Sequence, residues 1–221
     1  MKKLERRILA GIFFLLFLAK PGLTGDFSAG MNMGYYCGAG LQFYFSADNF
    51  TRDFPLTARL GMGYSLCNPG NAASARKIFI NDATNGTPQK DGGITYIQFD
   101  LIFPIRKKGL GSRLYVGPRY SHFKGNFKFI GGNEFFDITS NQWGMGAGLE
   151  SLFTISSRVK FLLGGGLEYF TKSSLQGHDT VYAPDGENIN SRNDYTYSDA
   201  DAAINQPGLE FRLMLGLQYH L

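Results

Sequence analysis

The 221-residue sequence predicts an all-β fold: an eight-stranded antiparallel transmembrane β-barrel of up-and-down topology, formed by residues 26–221. Three observations predict it. Leu209–Leu221 alternates with period two, segments of this kind recur eight times, and the connections between them alternate short and long. Successive side chains of a strand point to opposite faces. The last segment therefore carries Leu209, Phe211, Leu213, Leu215, Leu217, Tyr219 and Leu221 on one face, against Glu210, Arg212, Met214, Gly216, Gln218 and His220 on the other. Left as a free edge, such a strand would invite aggregation. A closed sheet with lipid outside and polar groups inside disposes of the edge and of the apolar face together.

Residues 1–25 read as a secretory signal peptide, with an uncleaved N-terminal anchor as the alternative. Lys2, Lys3, Arg6 and Arg7 precede an apolar run, Ile8 to Ala19, which Lys20-Pro21 closes. That run is shorter than the ~20 residues of a spanning helix. The leader also explains the charge. The chain has 22 basic and 18 acidic residues, and residues 1–25 hold five and one of them, so the remainder is neutral. Nucleic-acid binding, which needs a basic stripe, has no support here.

Taken in order, the apolar faces are Phe27 to Met33, Ala39 to Phe45, Leu56 to Leu66, Thr95 to Phe103, Leu114 to Tyr120, Trp143 to Leu149, Val159 to Tyr169 and the terminal strand, each at alternate positions. Most approach the ~9–11 residues that a tilted strand needs to cross a bilayer. The turns Ala47–Asp53, Ile105–Ser112 (with Lys107-Lys108-Gly109) and Thr154–Arg158 are short. The loops Cys67–Gly92, Lys124–Ser140 and Lys172–Pro207 are long. Two places resist the pattern. Tyr35-Tyr36-Cys37-Gly38 is a very short first loop for the long-loop rim, with one bent strand from Ala29 to Phe45 as the alternative. Pro118 lies inside a strand that has no edge, which predicts a bulge.

The opposite faces distinguish a membrane barrel from a soluble one. Arg59, Asp100, Arg119, Glu150, Lys160, Glu168, Glu210 and Arg212 all point away from the apolar face, four basic and four acidic. Glycines such as Gly117, Gly146, Gly148 and Gly166 share that face, as a narrow interior requires, while bulky residues fill the other. Balanced charge fits an enclosed set, because an unpaired buried charge is costly. The expected pairs are Arg59 with Asp100, Arg119 with Asp100 or Glu150, Glu150 with Lys160, and Glu168 with Arg212. Tyr64, Phe103, Tyr120, Trp143, Phe153, Tyr169, Phe211 and Tyr219 fall near strand ends on the lipid face, where interfacial rings belong.

On this strand pattern, loop asymmetry and terminal strand, the chain from Asp26 to Leu221 resembles the small outer-membrane β-barrel domains of the OmpA/OmpX type. The resemblance implies a Gram-negative outer membrane and contact with its lipid and lipopolysaccharide. It also implies recognition by the outer-membrane assembly machinery, read from the final strand. The chain departs from the type in ending on Leu221 where an aromatic is usual, with Tyr219 as the nearest substitute. No cell-wall-binding domain is expected beyond the barrel.

Candidate chemistry is sparse. Some eight-stranded relatives modify lipid A, which needs a histidine beside a serine or an oriented water. His122 follows Ser121, yet strand neighbours face opposite sides. His178 lies in a polar loop and His220 at the short-turn end, so no catalytic residue is expected. An eight-stranded barrel is only wide enough for its own side chains, which argues against a small-solute pore. Asp185-Gly-Glu187-Asn188 lacks calcium-loop spacing, and no metal or cofactor is expected. Cys37 and Cys67 are the candidates for one disulfide. The parity count puts them on opposite faces, so a bulge or loop geometry would be required, and free thiols are the alternative. The expected role is structural or surface-interactive, through outer loops rich in tyrosine and asparagine.

Overall fold

The computed structural model describes residues 26–48, 56–105 and 111–221. The leader, the tip of the Ala47–Asp53 turn and Lys107-Lys108-Gly109 lie outside the described residues. Eight strands close the barrel: β1 (Asp26–Tyr36), β2 (Ala39–Asp48), β3 (Thr57–Cys67), β4 (Thr87–Pro104), β5 (Gly111–Ile130), β6 (Glu134–Thr154), β7 (Val159–Phe170) and β10 (Leu209–His220). Each pairs antiparallel with its sequence neighbour, and β10 pairs with β1 to complete the ring. Two two-residue strands, β8 (Leu175–Gln176) and β9 (Val181–Tyr182), hang from β6. Among the described residues no helix is long and apolar enough to cross a membrane.

The first loop resolves as a hairpin. Cys37 takes a positive φ of 60°, which lets Cys37-Gly38 turn the chain in two residues, with Tyr35 opposite Ala39. The bulge expected at Pro118 is absent. Gln98 pairs with Arg119 and Leu101 with Val116, so equal lengths of β4 and β5 separate the two rungs and no residue is extra. Close approach takes the place of a bulge. A Cβ on Gly117 would lie 1.8 Å from the Phe99 carbonyl oxygen, a spacing only glycine allows.

The outward faces form an apolar belt. Met62, Trp143 and Phe211 are 60, 63 and 56% exposed, and Leu213, Leu215 and Leu217 stand beside them in the same state. So much apolar surface has no place in water. The aromatic residues bracket it: Tyr64, Tyr120, Trp143, Tyr169 and Phe211 near the long-loop rim, Phe103, Phe153 and Tyr219 near the short-turn rim. Along β6, Trp143 and Phe153 are ten residues apart, which at about 3.4 Å per residue and a tilt near 40° spans about 26 Å, the height of a bilayer-facing band.

The long-loop side departs from expectation. Lys124–Ser140 is not a loop: β5 and β6 run on as a paired hairpin to a turn at Gly131-Gly132-Asn133, and β4 rises with them from Thr87. Along this extension the faces exchange character. Inward positions of β5 are Arg113, Arg119 and Ser121 within the belt, then Phe123, Phe127 and Phe129 above it. Outward positions are Leu114, Val116 and Tyr120, then His122, Lys124, Asn126 and Lys128. β6 does the same, with Gln142 and Glu150 inside below and Phe136 and Ile138 inside above. The change falls between the Tyr120–Trp143 pair and the His122–Asn141 pair. There the surroundings pass from lipid to water, and the core passes from polar to apolar.

Two helices close over this upper core. α1 (Ala72–Phe79) is capped by Asn71, whose side chain accepts from the Ala73 and Ser74 amides, and buries Ala72, Ala75, Arg76 and Phe79 at helical spacing. α2 (Tyr197–Ala203) starts with a capping box between Thr196 and Asp199 and buries Ala200 and Ala203. The result is a folded cap on the barrel.

Candidate functional site

Within the barrel, seven charged side chains alternate in sign from the short-turn mouth to the long-loop mouth. Arg113 reaches Glu150 at 2.5 Å, and Glu150 reaches Arg59 at 2.6 Å. Arg59 lies 3.8 Å from Asp100, which binds Arg119 at 2.8 Å. Arg119 and Arg212 then share Glu168 at 2.7 and 2.5 Å. Gln98 and Gln42 accept further bonds from Arg212 at 2.5 and 2.8 Å. The glycines beneath make room: a Cβ on Gly146 would sit 2.6 Å from the Arg119 guanidinium. The arginines also lie over rings, Arg212 at 4.4 Å from the Tyr36 centroid and Arg59 at 5.1 Å from that of Tyr44.

Three of the expected pairs are therefore present: Arg59 with Asp100, Arg119 with Asp100, and Glu168 with Arg212. Two expectations need correction. Lys160 faces inward but stays at the short-turn mouth without an ion pair among the described residues, and Arg113 takes its place beside Glu150. Water at the mouth solvates an ammonium readily, whereas the forked guanidinium of Arg113 can bond both Glu150 and, at 4.0 Å, Asp48. Arg113 shares the parity of Arg119, so the signal was present in the sequence. Glu210 does not join the chain either. It sits at the opposite mouth, where it accepts the Gly208 amide at 3.2 Å. Cys37 and Cys67 are both free thiols, so of the two alternatives the disulfide is not the one formed. They line the same long-loop mouth.

A cavity of about 490 Å³ occupies the short-turn mouth and one of about 550 Å³ the long-loop mouth. They share no lining residue, and the ion chain stands between them.

The histidines lie apart. His122 Nδ1 bonds Asn141 at 2.8 Å on the outer surface, His178 lies 3.7 Å from Asp179, and His220 bonds the Phe27 carbonyl at 3.0 Å. None of these partners is a serine. Among the described residues no three histidine, cysteine or carboxylate side chains gather as a metal site. In the Lys172–Pro207 loop, Asp185 accepts the Glu187 amide at 3.1 Å and Asn188 the Ala183 amide at 2.9 Å. Both side chains fasten turns.

The cap is held by specific polar contacts that sequence reasoning did not find. The last carbonyls of α1, which a helix leaves unpaired, receive the Tyr182 hydroxyl at Ile78 (3.1 Å), Thr180 at Phe79 (3.3 Å) and Arg192 at Lys77 (2.8 Å). Arg76, 1% exposed, lies 4.4 Å over the Phe129 ring and donates to the Asn85 carbonyl at 2.7 Å. It also pairs with Glu134 at the top of β6, which takes a second bond from Asn81 at 2.8 Å. These contacts, Arg76 first, hold the Glu134 carboxyl below its ordinary value. A carboxyl depressed in the folded state stabilises above its unfolded pKa, and that contribution is lost as pH falls through the folded value. Hydrogen exchange of the α1 amides, corrected for intrinsic rates, is expected to stay constant from pH 8 to about 5 and to rise below about pH 4. Glu134→Gln should remove that acid step.

No family model matches the chain, and no curated protein matches it. Among solved structures it is similar to a major outer membrane protein from Thermus thermophilus, with 22% identity and a TM-score of 0.74 over 90% of this chain and 100% of that one. Neisserial surface protein A overlaps more loosely (14%, TM-score 0.40, 89% of this chain and 96% of that one). So does Ail, the attachment invasion locus protein of Yersinia pestis (14%, TM-score 0.45, 89% and 97%). The likeness to the first of these is one of fold, and the chain, a closed ring of eight antiparallel strands, has the fold of a small eight-stranded outer-membrane β-barrel, as its resemblance to the OmpA/OmpX type implied.

Proposed function

We propose that this protein is an integral barrel of the Gram-negative outer membrane whose role is structural and surface-interactive, exercised through its folded cap. One observation carries the reading. Above the belt, where the outward positions of β4, β5 and β6 are otherwise polar, Ile130 and Phe135 stand 46 and 66% exposed at the tip of the β5–β6 hairpin. An apolar tip held in water on a rigid, two-stranded arm is suited to contact with another surface. The filled interior supports a scaffold rather than a conduit. Lipid and lipopolysaccharide would surround the belt, and β10 with Tyr219 and Leu221 would serve the assembly machinery as its recognition strand.

Attachment of cells expressing the protein to host-cell or matrix surfaces tests the reading. Ile130→Ser with Phe135→Ser, at equal surface level, is expected to reduce attachment by about tenfold, since each buried apolar contact is worth about 1.5–3 kcal/mol when fully desolvated and less when partial. Unchanged attachment would refute the surface role of the tip.

A further inference from the structure

The barrel wall is uneven at its long-loop rim. β1 and β2 end at a two-residue turn, and β7 and β10 stop at Phe170 and Leu209, whereas β4, β5 and β6 continue upward. The 550 Å³ cavity lies on this low side, and its size suits a small ligand or headgroup. Its lining joins two surfaces that a closed barrel keeps apart. Glu210 and Gln142 come from inward faces. Tyr35, Tyr169 and Leu209 come from outward faces, where they are 48, 59 and 72% exposed at the level of the aromatic belt. The cavity is thus continuous with the lipid-facing surface.

Its charge is also uneven. Lys172 lies 3.3 Å from Asp201, so those two cancel. Glu210 accepts the Gly208 amide and meets the Cys37 thiol, both neutral, and forms no salt bridge with a lysine or arginine among the described residues. One net negative charge therefore remains beside two tyrosine rings, and aromatic faces attract cations.

We propose that this cleft binds a lipid with an ammonium headgroup, the ammonium meeting Glu210 with Tyr35 and Tyr169 at the lip, and the acyl chains leaving sideways along the outer face of β1 and β10. The proposal rests on the barrel lying in an outer membrane, as argued above. A soluble organic ammonium shares the headgroup chemistry and differs in lacking a tail.

Native mass spectrometry of the full chain, released from maltoside micelles, tests the proposal. Only preparations that migrate as a folded, heat-modifiable band are used, so a failed site leaves the membrane reading untouched. With equimolar phosphatidylethanolamine and phosphatidylglycerol, a single phosphatidylethanolamine adduct is expected at tenfold or greater preference. Glu210→Gln should abolish that preference, Tyr169→Ala should reduce it severalfold, and Glu187→Gln in the exposed loop should leave it intact. Equal binding of the two lipids, or an unaltered preference in both Glu210→Gln and Tyr169→Ala, would overturn the site. Displacement of the lipid by equimolar glycerophosphoethanolamine would overturn the lipid in favour of a soluble cation. Should Glu210→Gln not fold, Tyr169→Ala decides.

Discussion

Glu168→Gln is expected to destabilise the barrel by about 3–5 kcal/mol, the cost of breaking a buried ion pair from one side. Glu168 is the shared acceptor of Arg119 and Arg212, both 1% exposed. Removing its charge leaves two guanidinium groups facing each other across a neutral amide, with almost no exposure to bulk solvent. Surface pairs behave differently, and Lys124 with Asp137 on the outer face should be worth at most about 1 kcal/mol. The measurement is urea unfolding in liposomes, followed by loss of the heat-modifiable band. With an m-value of about 1–3 kcal/mol per molar, the midpoint should fall by about 1–5 M. A fall under about 0.5 M would mean that the chain of charges is not sealed from solvent. Adding Arg212→Met to Glu168→Gln removes one of the two surplus charges and should recover part of the loss, and the double-mutant cycle measures how much.

That sensitivity follows from the form of the ion chain, and its form was partly legible in the sequence. Parity alone places Arg59, Asp100, Arg119, Glu150, Glu168 and Arg212 inside, because a strand offers only two faces. What parity cannot give is height along the barrel axis, which decides whether an inward residue meets a partner or reaches a wet mouth. Lys160 and Glu210 have the right face and the wrong height. Arg113 has both, one residue before the apolar face of its strand begins. The tight first hairpin lies where the sequence placed its loop, Tyr35-Tyr36-Cys37-Gly38, but it needed a residue in the left-handed region, and Cys37 is an unusual occupant of it, so the sequence left a bent strand open as the alternative.

The cap was hidden for a different reason. A search for apolar faces pointing outward stops at Tyr120 and restarts at Trp143, since beyond them the outward residues turn polar. The period of two never breaks: Phe123, Phe127 and Phe129 continue the parity of Arg119, and Phe136 and Ile138 that of Gln142. Only the solvent changes. Asn71 before an alanine-rich stretch and Thr196 three residues before Asp199 are helix-start signals that a reading in strands passes over.

Because the cap has its own apolar core, it should fail separately from the barrel. Phe127 is fully buried and stacks on Phe136 at a centroid distance of 5.3 Å, above the level of every charged residue in the ion chain. Phe127→Ala is expected to cost about 3–5 kcal/mol, the usual range for emptying an aromatic site in a core. The loss falls on the cap alone, since barrel closure depends on strand pairing and lipid contact lower down. Trypsin should then cut at Arg192 within the Lys172–Pro207 loop, while the barrel keeps its heat-modifiable migration and its urea midpoint. Glu168→Gln should give the reverse, a lowered midpoint with the loop still protected until the barrel opens. If Phe127→Ala instead lowers the midpoint as far as Glu168→Gln does, cap and barrel form one cooperative unit, and the cap then contributes to holding the strands closed as well as displaying the hairpin tip.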